Sequence, residues 1–490
     1  MGAAKGMAKR TKIVCTMGPA CDDEAILREM ILSGMNVARF NFSHGSHEEH
    51  HERMARVRRV AAELGMPVAI LLDTKGPEVR TGLLKDHKPV TLVSGSEVVV
   101  AAEETSEKNE GTAERFTLDY LNLPSEVEVG SSILVDDGLI ELEVVSVAGQ
   151  EMTCKVLNGG ELGERKGINL PNVNVGLPAL TEQDKADILF GIEEDIDFIA
   201  ASFIRDAQAV RTIRELCLEH GADHISIMPK IESAQGVANF DEILEESDGV
   251  MVARGDLGVE VPAEHVPHIQ KKIIRKCNEA YKPVITATQM LDSMIRNPRP
   301  TRAEVTDVAN AIYDGTDAIM LSGETAAGKY PVEAVKMQAS IAEQTEKYLD
   351  STVDLASGAI SGVAAINQSV GMAAVTTAMN VGAKAILIPT QTGRSARLVS
   401  HFRPNLPIFA VSRNEWAVRK MCMCWGVEPW TGTETGDVHF VITNAIDEAK
   451  KHGVVNTGDI TVVTAGDPST SITLSDQITS TNVVYVAQVR

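Results

Sequence analysis

Two acidic residues, Glu232 in "PKIES" and Asp256 in "ARGDLG", could serve this 490-residue chain as ligands for a divalent cation. Each follows a short apolar run, so we expect both at the ends of neighbouring strands. Hard oxygen ligands favour Mg²⁺ or Mn²⁺ over zinc. Lys230 and Arg39 add positive charge, and no side chain stands out as a dedicated nucleophile. A metal with a lysine and an arginine is typical of phosphoryl transfer, in which positioning and electrostatics provide most of the catalysis.

A second group of small oxygen ligands follows two earlier apolar runs. Asn41, Ser43, Asp73 and Thr74 are enough for a further, monovalent cation. The glycine turn at Gly255 opens a predicted helix, whose backbone N–H groups can hold a carboxylate or a phosphate. The sequence contains no GxxxxGK[ST] motif, which excludes a P-loop kinase.

The stretch "HEEHH", from His47 to His51, satisfies the zinc-protease pattern H-E-x-x-H. Two histidines four apart on a helix could hold Zn²⁺, with the intervening glutamate as base. The surrounding sequence does not support this hypothesis, because Met54 and Val57 stand where the extended motif requires glycine and histidine. We interpret the stretch as the start of a charged surface helix.

The elements that must position these residues follow a regular alternation. Eight short apolar, β-branched runs are each followed by a helical pattern, which predicts a parallel (β/α)₈ TIM barrel. In such a barrel the active site lies at the carboxyl ends of the strands. The eight runs start at Lys12, Asn36, Val68, Asp197, Ile225, Gly249, Pro283 and Asp317.

Polar residues follow seven of the eight runs, and their joint placement on one rim argues for function. They are Arg39, Asn41 and Ser43; Asp73, Thr74 and Lys75; Ser202 and Arg205; Lys230 and Glu232; Arg254, Gly255 and Asp256; Thr288 and Gln289; and Ser322 and Glu324.

The alternation is interrupted once, after the third run, by short alternating strands without a long helix. A three-layer α/β unit follows the barrel pattern. We therefore predict an α/β chain whose barrel occupies residues 1–76 and 176–354, with an inserted all-β domain at 77–175 and a C-terminal α/β domain at 355–490.

Composition limits the partners and the compartment. The formal net charge of −22 argues against nucleic acid and against an anionic membrane surface. No apolar run is long enough to span a bilayer. Seven unpatterned cysteines are typical of reduced thiols in a cytoplasmic protein.

Long motifs in chain order closely resemble pyruvate kinase. They include "NVARFNFSHGSHEEHH", "LLDTKGPEVRTG", "PKIESAQG", "GVMVARGDLGVEVP", "PVITATQMLDSMI" and "PRPTRAEVTDVANAIYDGTDAIMLSGET". The resemblance implies phosphoryl transfer from phosphoenolpyruvate to ADP, giving pyruvate and ATP, with Mg²⁺ (or Mn²⁺) and K⁺ as cofactors. It also implies a homotetramer, and it makes the inserted all-β barrel a lid over the nucleotide.

The resemblance assigns roles to individual residues. Glu232 and Asp256 would hold the divalent metal, and Asn41, Ser43, Asp73 and Thr74 would hold K⁺. Lys230 would neutralise the transferring phosphoryl group and Arg39 would orient it. Gly255, Asp256 and Thr288 would bind the substrate carboxylate, with Thr288 as a candidate proton relay. Asn41, His44 and Arg80 would lie at the nucleotide.

The loop "ILIPTQTGRSARLVS" in the C-terminal domain is a plausible phosphate cradle. The resemblance implies that it binds a phosphorylated small-molecule effector, with a wall supplied by the tail from Ser469 to Thr481. Two alternatives remain, a metal-dependent lyase or aldolase of pyruvate-like enolates, and a sensor that only binds metabolites. The cradle residues are Thr390, Thr392, Gly393, Arg394 and Ser395.

Overall fold

The structure, a computed structural model, describes residues 9–103, 110–349, 363–432, 437–466 and 481–490. Its strands are β1 (Lys12–Thr16), β2 (Val37–Asn41), β3 (Ala69–Asp73), β4 (Val79–Arg80), β5 (Val90–Leu92), β6 (Glu97–Ala102), β7 (Arg115–Leu118), β8 (Ser132–Val135), β9 (Ile140–Ala148), β10 (Glu151–Asn158), β11 (Gly160–Leu162), β12 (Gly167–Asn169), β13 (Phe198–Ala201), β14 (Ser226–Ile231), β15 (Val250–Ala253), β16 (Val284–Ala287), β17 (Ala318–Leu321), β18 (Ala385–Pro389), β19 (Ile408–Ser412), β20 (Val427–Thr431), β21 (Ile460–Ala465) and β22 (Val483–Gln488).

The α-helices complete the alternation. They are α1 (Glu24–Leu32), α2 (His47–Leu64), α3 (Leu123–Glu126), α4 (Glu182–Glu193), α5 (Ala207–Glu219), α6 (Ala234–Ala238), α7 (Phe240–Glu246), α8 (Arg254–Glu260), α9 (Val266–Glu279), α10 (Arg302–Tyr313), α11 (Gly323–Ala326), α12 (Pro331–Glu346), α13 (Val363–Asn380), α14 (Arg394–His401), α15 (Glu415–Met421) and α16 (Val438–Lys451).

Eight parallel strands close into the predicted barrel in the order β1-β17-β16-β15-β14-β13-β3-β2. Almost every strand residue is buried, which fits a parallel sheet covered on both faces. The register places Asn41 opposite Asp73 and Asp73 opposite Ala200, so the ends of β2, β3 and β13 meet at one rim. Barrel closure therefore brings together the residues that follow the strands.

The segment between β3 and β13 is the predicted all-β insertion. Seven strands form one sheet in the order β4-β12-β8-β9-β10-β6-β7, and a single bridge from Thr81 to Leu118 links its two edges. The chain returns to the barrel at α4, where Thr181 is the N-cap. Its side chain accepts a hydrogen bond from the Asp184 N–H, and the Asp184 carboxylate accepts from the Thr181 N–H, 3.0 Å away.

The C-terminal domain has the predicted three layers. Its five-stranded sheet has the order β20-β19-β18-β21-β22, with only β22 antiparallel. Helices α13 and α14 pack on one face and α16 on the other. Its attachment to the barrel runs through α15, where Arg419 Nε donates to Asp197 Oδ1 at 2.7 Å, beside the first residue of β13.

Across the residues placed in the structure, no helix combines the length and the apolar character needed to cross a membrane.

Candidate active site

Lys230, near the end of β14, lies at the centre of the rim. Its Nζ is 2.8 Å from Ser202 Oγ, 2.9 Å from Glu232 Oε1 and 3.1 Å from Asp73 Oδ1. Burial alone would lower the pKa of Lys230, but the Asp73 and Glu232 carboxylates outweigh it and raise that pKa above its ordinary value. The ammonium is therefore held charged and fixed in a largely buried position.

Arg39 at the end of β2 is fixed by two residues. Its Nε donates to Asp73 Oδ2 at 2.6 Å, and its Nη1 donates to Thr16 Oγ1 at 2.9 Å. Burial raises the pKa of Asp73, but the Arg39 and Lys230 charges outweigh it and hold that pKa below its ordinary value. Asp73 thus joins both cations of the rim in one network.

Glu232 and Asp256 lie on the other side of Lys230. Glu232 is 1% exposed, and its Oε2 accepts the Phe203 N–H at 2.7 Å. Burial, together with the nearby Asp256 carboxylate, raises the pKa of Glu232 to about 7 despite the Lys230 charge. Burial also raises the pKa of Asp256. Two neighbouring carboxylates with raised pKa values favour binding of an additional cation, because a cation stabilises their ionised forms.

Within the group formed by Arg39, Asp73, Lys230, Glu232 and Asp256, negative charges outnumber positive ones. When all are ionised, two cations, Arg39 and Lys230, face three carboxylates, those of Asp73, Glu232 and Asp256. One negative charge is left over, and Asp73 is already paired with both cations. Glu232 and Asp256 therefore fit a divalent metal by both charge and ligand type.

The predicted monovalent-cation ligands also come together. Asn41 and Asp73 are register partners, and Asn41 Oδ1 accepts the Ser43 N–H at 3.2 Å. Thr74 Oγ1 accepts the Ser202 N–H at 3.0 Å, and the Thr74 carbonyl accepts from Ser202 Oγ at 2.5 Å. Carbonyl, amide, hydroxyl and carboxylate oxygens thus lie between the ends of β2, β3 and β13.

The turn after β16 meets the turn after β15 through Thr288. Thr288 Oγ1 accepts the Gly255 N–H at 2.8 Å and donates to the Ala287 carbonyl at 2.6 Å. Thr288 and Gln289 have φ values of 69° and 54°, in the left-handed region that a β-branched residue rarely adopts. Such conformations cost about 1–3 kcal/mol each and persist where the surroundings enforce them.

Two of the predicted nucleotide contacts, Arg80 and His44, have hydrogen bonds to other residues of the protein. The Arg80 guanidinium donates to Glu78 Oε2 at 2.6 Å and to the Arg165 carbonyl at 2.9 Å. His44 is exposed, and its carbonyl accepts from His50 Nε2 at 2.9 Å. Neither side chain has a hydrogen bond or ion pair with Lys230 within the described residues, so their role at the nucleotide stays a prediction.

The two histidines of the zinc-protease pattern, His47 and His51, contact different carboxylates. His47 Nε2 lies 2.7 Å from Asp187 Oδ1, and His51 Nδ1 lies 2.8 Å from Glu194 Oε1. His47 also stacks on Phe190, with ring centroids 4.3 Å apart. The pattern therefore serves the packing of α2 against α4, which accounts for it without zinc.

The predicted effector loop, residues 390–395, lies at the carboxyl end of β18. Thr390 Oγ1 accepts the Gly393 N–H at 3.1 Å, and Ser395 shares a hydrogen bond with Thr481. Thr392 and Arg394 are exposed and border a cavity of about 420 Å³ between this domain and the barrel. Residues 467–480 of the predicted tail wall lie outside the described residues.

Sequence reasoning missed two contacts at the rim. Thr16 at the end of β1 holds Arg39, and it could have been found by applying the strand-end rule to the first run as well. The Phe203 N–H that binds Glu232 leaves no signal in the sequence, because any residue carries a backbone N–H.

Comparisons with known proteins agree with this geometry. The family model described as "Pyruvate kinase, barrel domain" matches residues 8–335, and "Pyruvate kinase, alpha/beta domain" matches residues 368–487. A pyruvate kinase of Geobacillus stearothermophilus is 52% identical over 464 residues, which cover 94% of this chain and 78% of that protein. A pyruvate kinase of Staphylococcus aureus (strain MRSA252) is 51% identical over 463 residues, with the same coverage.

A solved structure gives the same result. The crystal structure of a pyruvate kinase from Cryptosporidium parvum aligns with a TM-score of 0.91 and 38% identity, covering 99% of this chain and 97% of that one. These findings give no support to a lyase, an aldolase or a sensor. The chain belongs to the pyruvate kinase family, the phosphotransferases that transfer the phosphoryl group of phosphoenolpyruvate to ADP and form pyruvate and ATP.

Proposed function

We propose that this chain performs the pyruvate kinase reaction at the rim around Lys230. The observation that carries the proposal is the Lys230 ammonium, held by Asp73, Ser202 and Glu232 within 3.1 Å. A charge fixed before the substrate arrives needs no reorganisation in the transition state. Lys230 neutralises the phosphoryl group as it passes from the enolate oxygen to ADP.

Arg39 orients the phosphoryl group beside Lys230. Its Nε and Nη1 are occupied by Asp73 and Thr16, so the rest of the guanidinium is left to face the substrate. A planar fork with several donors suits phosphate oxygens. Arg39 and Lys230 together form the anion-binding part of the site, within an acidic chain that otherwise repels its substrate.

Glu232 and Asp256 hold the divalent metal, Mg²⁺ or Mn²⁺. Their donor type, their raised pKa values and the excess of carboxylates over cations around Lys230 support this assignment. When bound, the metal supplies Lewis-acid stabilisation of the enolate and phosphoryl oxygens. The carboxylates must be ionised to receive it, and Lys230 assists by lowering the pKa of both.

Asn41, Ser43, Asp73 and Thr74 hold K⁺. The Ser202 hydroxyl links the Thr74 carbonyl to Lys230, so this second cation site and the phosphoryl site share one hydrogen-bonded network. A monovalent ion here adds positive charge near the transferring group without a further side chain.

The carboxylate of the substrate lies at Gly255, Asp256 and Thr288. Here Thr288 Oγ1 occupies the Gly255 N–H and directs its own proton to the Ala287 carbonyl. In this arrangement the hydroxyl orients the site, and it serves as one step of a proton relay to the enolate carbon only after its O–H turns away from the Ala287 carbonyl. Asn41, His44 and Arg80 contact the nucleotide, and the inserted sheet closes over it and excludes water.

The wider assignments follow the family. We propose a homotetramer, and a phosphorylated small-molecule effector at Thr390, Thr392, Gly393, Arg394 and Ser395. The cysteines are all free and buried, which suits the reducing cytoplasm.

A coupled assay tests the proposal. Pyruvate formation from phosphoenolpyruvate and ADP is followed with lactate dehydrogenase and NADH, with Mg²⁺ or Mn²⁺ and with or without K⁺. We expect activity that requires both cations. Turnover without any divalent ion would contradict the metal assignment, and light scattering on the purified protein would test the tetramer.

A further inference from the structure

We propose that Arg254 is a positioning residue for the turn that receives the substrate carboxylate, and that it acts by holding Thr288 in place. The inference rests on the proposed function in one respect, namely that Gly255 and Thr288 receive the carboxylate. Arg254 itself contacts protein groups on every side and has no role in the chemistry described above.

The Arg254 guanidinium lies between the turn after β16 and two helices, α9 and α10. Nε donates to the Ala287 carbonyl at 3.1 Å, and Nη2 donates to the Thr288 carbonyl at 2.7 Å. On its other side, Nη1 and Nη2 each lie 2.7 Å from a different carboxylate oxygen of Asp307 on α10. Nη1 also donates to Gln270 Oε1 of α9 at 3.3 Å. The side chain is 11% exposed, so this fork is held in one orientation.

Thr288 needs such support because its own conformation is unfavourable. Thr288 and Gln289 both lie in the left-handed region, where a side chain branched at Cβ clashes with its backbone. Local sequence gives no reason for this turn, since neither residue is glycine. Of the two carbonyls bound by Arg254, that of Ala287 precedes the Thr288 N–Cα bond and that of Thr288 follows its Cα. The guanidinium therefore fixes the φ and ψ angles that place the threonine.

The position of Thr288 in turn sets the position of Gly255. With φ at 69°, Thr288 Oγ1 at the end of β16 lies 2.8 Å from the Gly255 N–H, which follows the neighbouring strand β15. If the guanidinium is lost, both carbonyls lose the hydrogen bonds from Arg254 and the turn relaxes toward negative φ. Oγ1 then moves away from Gly255, and the two groups proposed to bind the carboxylate, Thr288 and the start of α8 at Gly255, are no longer held in register.

The experiment compares Arg254→Lys and Arg254→Met with the surface control Arg211→Lys, whose parent arginine pairs with Glu246 on exposed helices. Lysine keeps the charge but cannot bind two carbonyls and a carboxylate at once. We expect both Arg254 variants to raise the apparent KM for phosphoenolpyruvate about tenfold and to lower kcat several-fold, with the KM for ADP within about twofold. The control should match the parent enzyme.

A double-mutant cycle separates positioning from a general loss of structure. Thr288→Gly removes the hydroxyl and makes positive φ favourable, so the turn no longer needs Arg254 to keep its conformation. Arg254→Met should then change the KM for phosphoenolpyruvate less than about twofold in the Thr288→Gly background. Equal effects of Arg254→Met in both backgrounds would overturn the inference. If Thr288→Gly alone leaves that KM unchanged, the carboxylate assignment of the proposed function is wrong instead.

Folding is checked by circular dichroism and by the melting temperature of each variant. If Arg254→Met does not fold, Asp307→Asn provides the second measurement, because it removes the carboxylate that anchors the guanidinium and keeps Arg254. We expect Asp307→Asn to raise the KM for phosphoenolpyruvate about threefold at unchanged KM for ADP. A lower melting temperature with unchanged kinetic constants would overturn the inference, since it would show that the arginine only stabilises the fold.

Discussion

The rim of the barrel and the effector loop both follow strands of parallel sheets, but they hold their polar groups in different ways. At the rim, Lys230 binds residues from two other strand ends, Asp73 and Ser202, and is nearly buried. In the loop, Gly393 binds Thr390 three residues away, and Arg394 is exposed. The rim is assembled by barrel closure, whereas the loop is held by a local turn, by the Asn414 side chain, which donates to the Gln391 carbonyl at 2.8 Å, and, among the described residues, by a tail contact from Ser395 to Thr481.

This difference predicts how each region responds to substitution. Changes at the rim alter charges that are fixed before the substrate binds, so they should act on turnover. The loop is proposed to bind an effector in a separate domain, so changes in it should act on apparent substrate affinity and leave maximal velocity unchanged. Each prediction below tests one side of this comparison.

The largest effect is expected for Lys230→Met. The substitution removes the charge that faces the transferring phosphoryl group, and loss of one such electrostatic group typically lowers kcat by about 10²–10³-fold or more. The fold should survive, because Arg39 still pairs with Asp73 and Glu232 can become protonated. Steady-state kinetics measure the change in kcat, and circular dichroism checks the fold.

Lys185→Met is the matched control, because Lys185 pairs with Glu182 on the surface of α4. It should retain the parent rate. If Lys230→Met also stays within about threefold of the parent, Lys230 only balances carboxylates at the rim and the catalytic role assigned to it is wrong.

The second largest effect is expected for a substitution in the effector loop. A phosphorylated activator should lower the apparent KM for phosphoenolpyruvate by a coupling of about 1–3 kcal/mol, or about 5–150-fold. Ser395→Asp places a carboxylate in the cradle and repels the phosphate, so it should abolish activation and leave maximal velocity unchanged. Saturation curves with sugar phosphates, AMP and inorganic phosphate measure this.

Thr443→Asp is the control in the same domain, because its hydroxyl binds the His439 carbonyl on the exposed side of α16. It should respond to the activator as the parent does. If none of these phosphates shifts the curve of the parent enzyme, the loop is an ordinary helix start and not an effector site.

Sequence reasoning succeeded where a residue's place depends on strand periodicity. Asn41 and Asp73 both end barrel strands, and the register makes them neighbours. It failed where a contact depends on backbone conformation. A single helix over residues 237–246 is predicted, but Asn239 ends α6 and begins α7, and its side chain donates to the Arg205 carbonyl at 2.9 Å. The left-handed turn at Thr288, whose carbonyl is bound by the distant Arg254, likewise has no local signal.

A third prediction concerns the pH dependence of metal binding. Burial raises the pKa of Glu232 to about 7, and a metal binds only its ionised form. Above pH 7 the carboxylate is already ionised, whereas below pH 7 the metal must displace a proton. The apparent affinity for Mn²⁺ should therefore fall as the pH falls, by about tenfold per unit below 7.

Binding of Mn²⁺ to the substrate-free protein, followed by electron paramagnetic resonance between pH 6 and 8, measures this slope. Glu232→Gln should bind Mn²⁺ more weakly, with a shallower slope that leaves Asp256 as the titrating ligand. Glu63→Gln is the control, because Glu63 pairs with Arg28 on the exposed surface. An affinity that does not change over this range would show that Glu232 does not bind the metal.

The smallest effect is expected for the K⁺ requirement. Glu78 follows "DTKGP", and in this family an acidic residue here accompanies a requirement for K⁺, whereas a lysine can supply an ammonium in place of the ion. In this structure the Glu78 carboxylate binds the Arg80 guanidinium at 2.6 Å, so Glu78→Lys both adds a cation and releases Arg80. We expect the ratio of rates with and without K⁺ to fall several-fold, on the order of 1 kcal/mol.

Glu78→Gln separates the two causes, because it releases Arg80 without adding a positive charge and should keep the requirement for K⁺. Full activity of the parent enzyme in buffer free of K⁺ and NH₄⁺ would contradict the K⁺ site at Asn41, Ser43, Asp73 and Thr74.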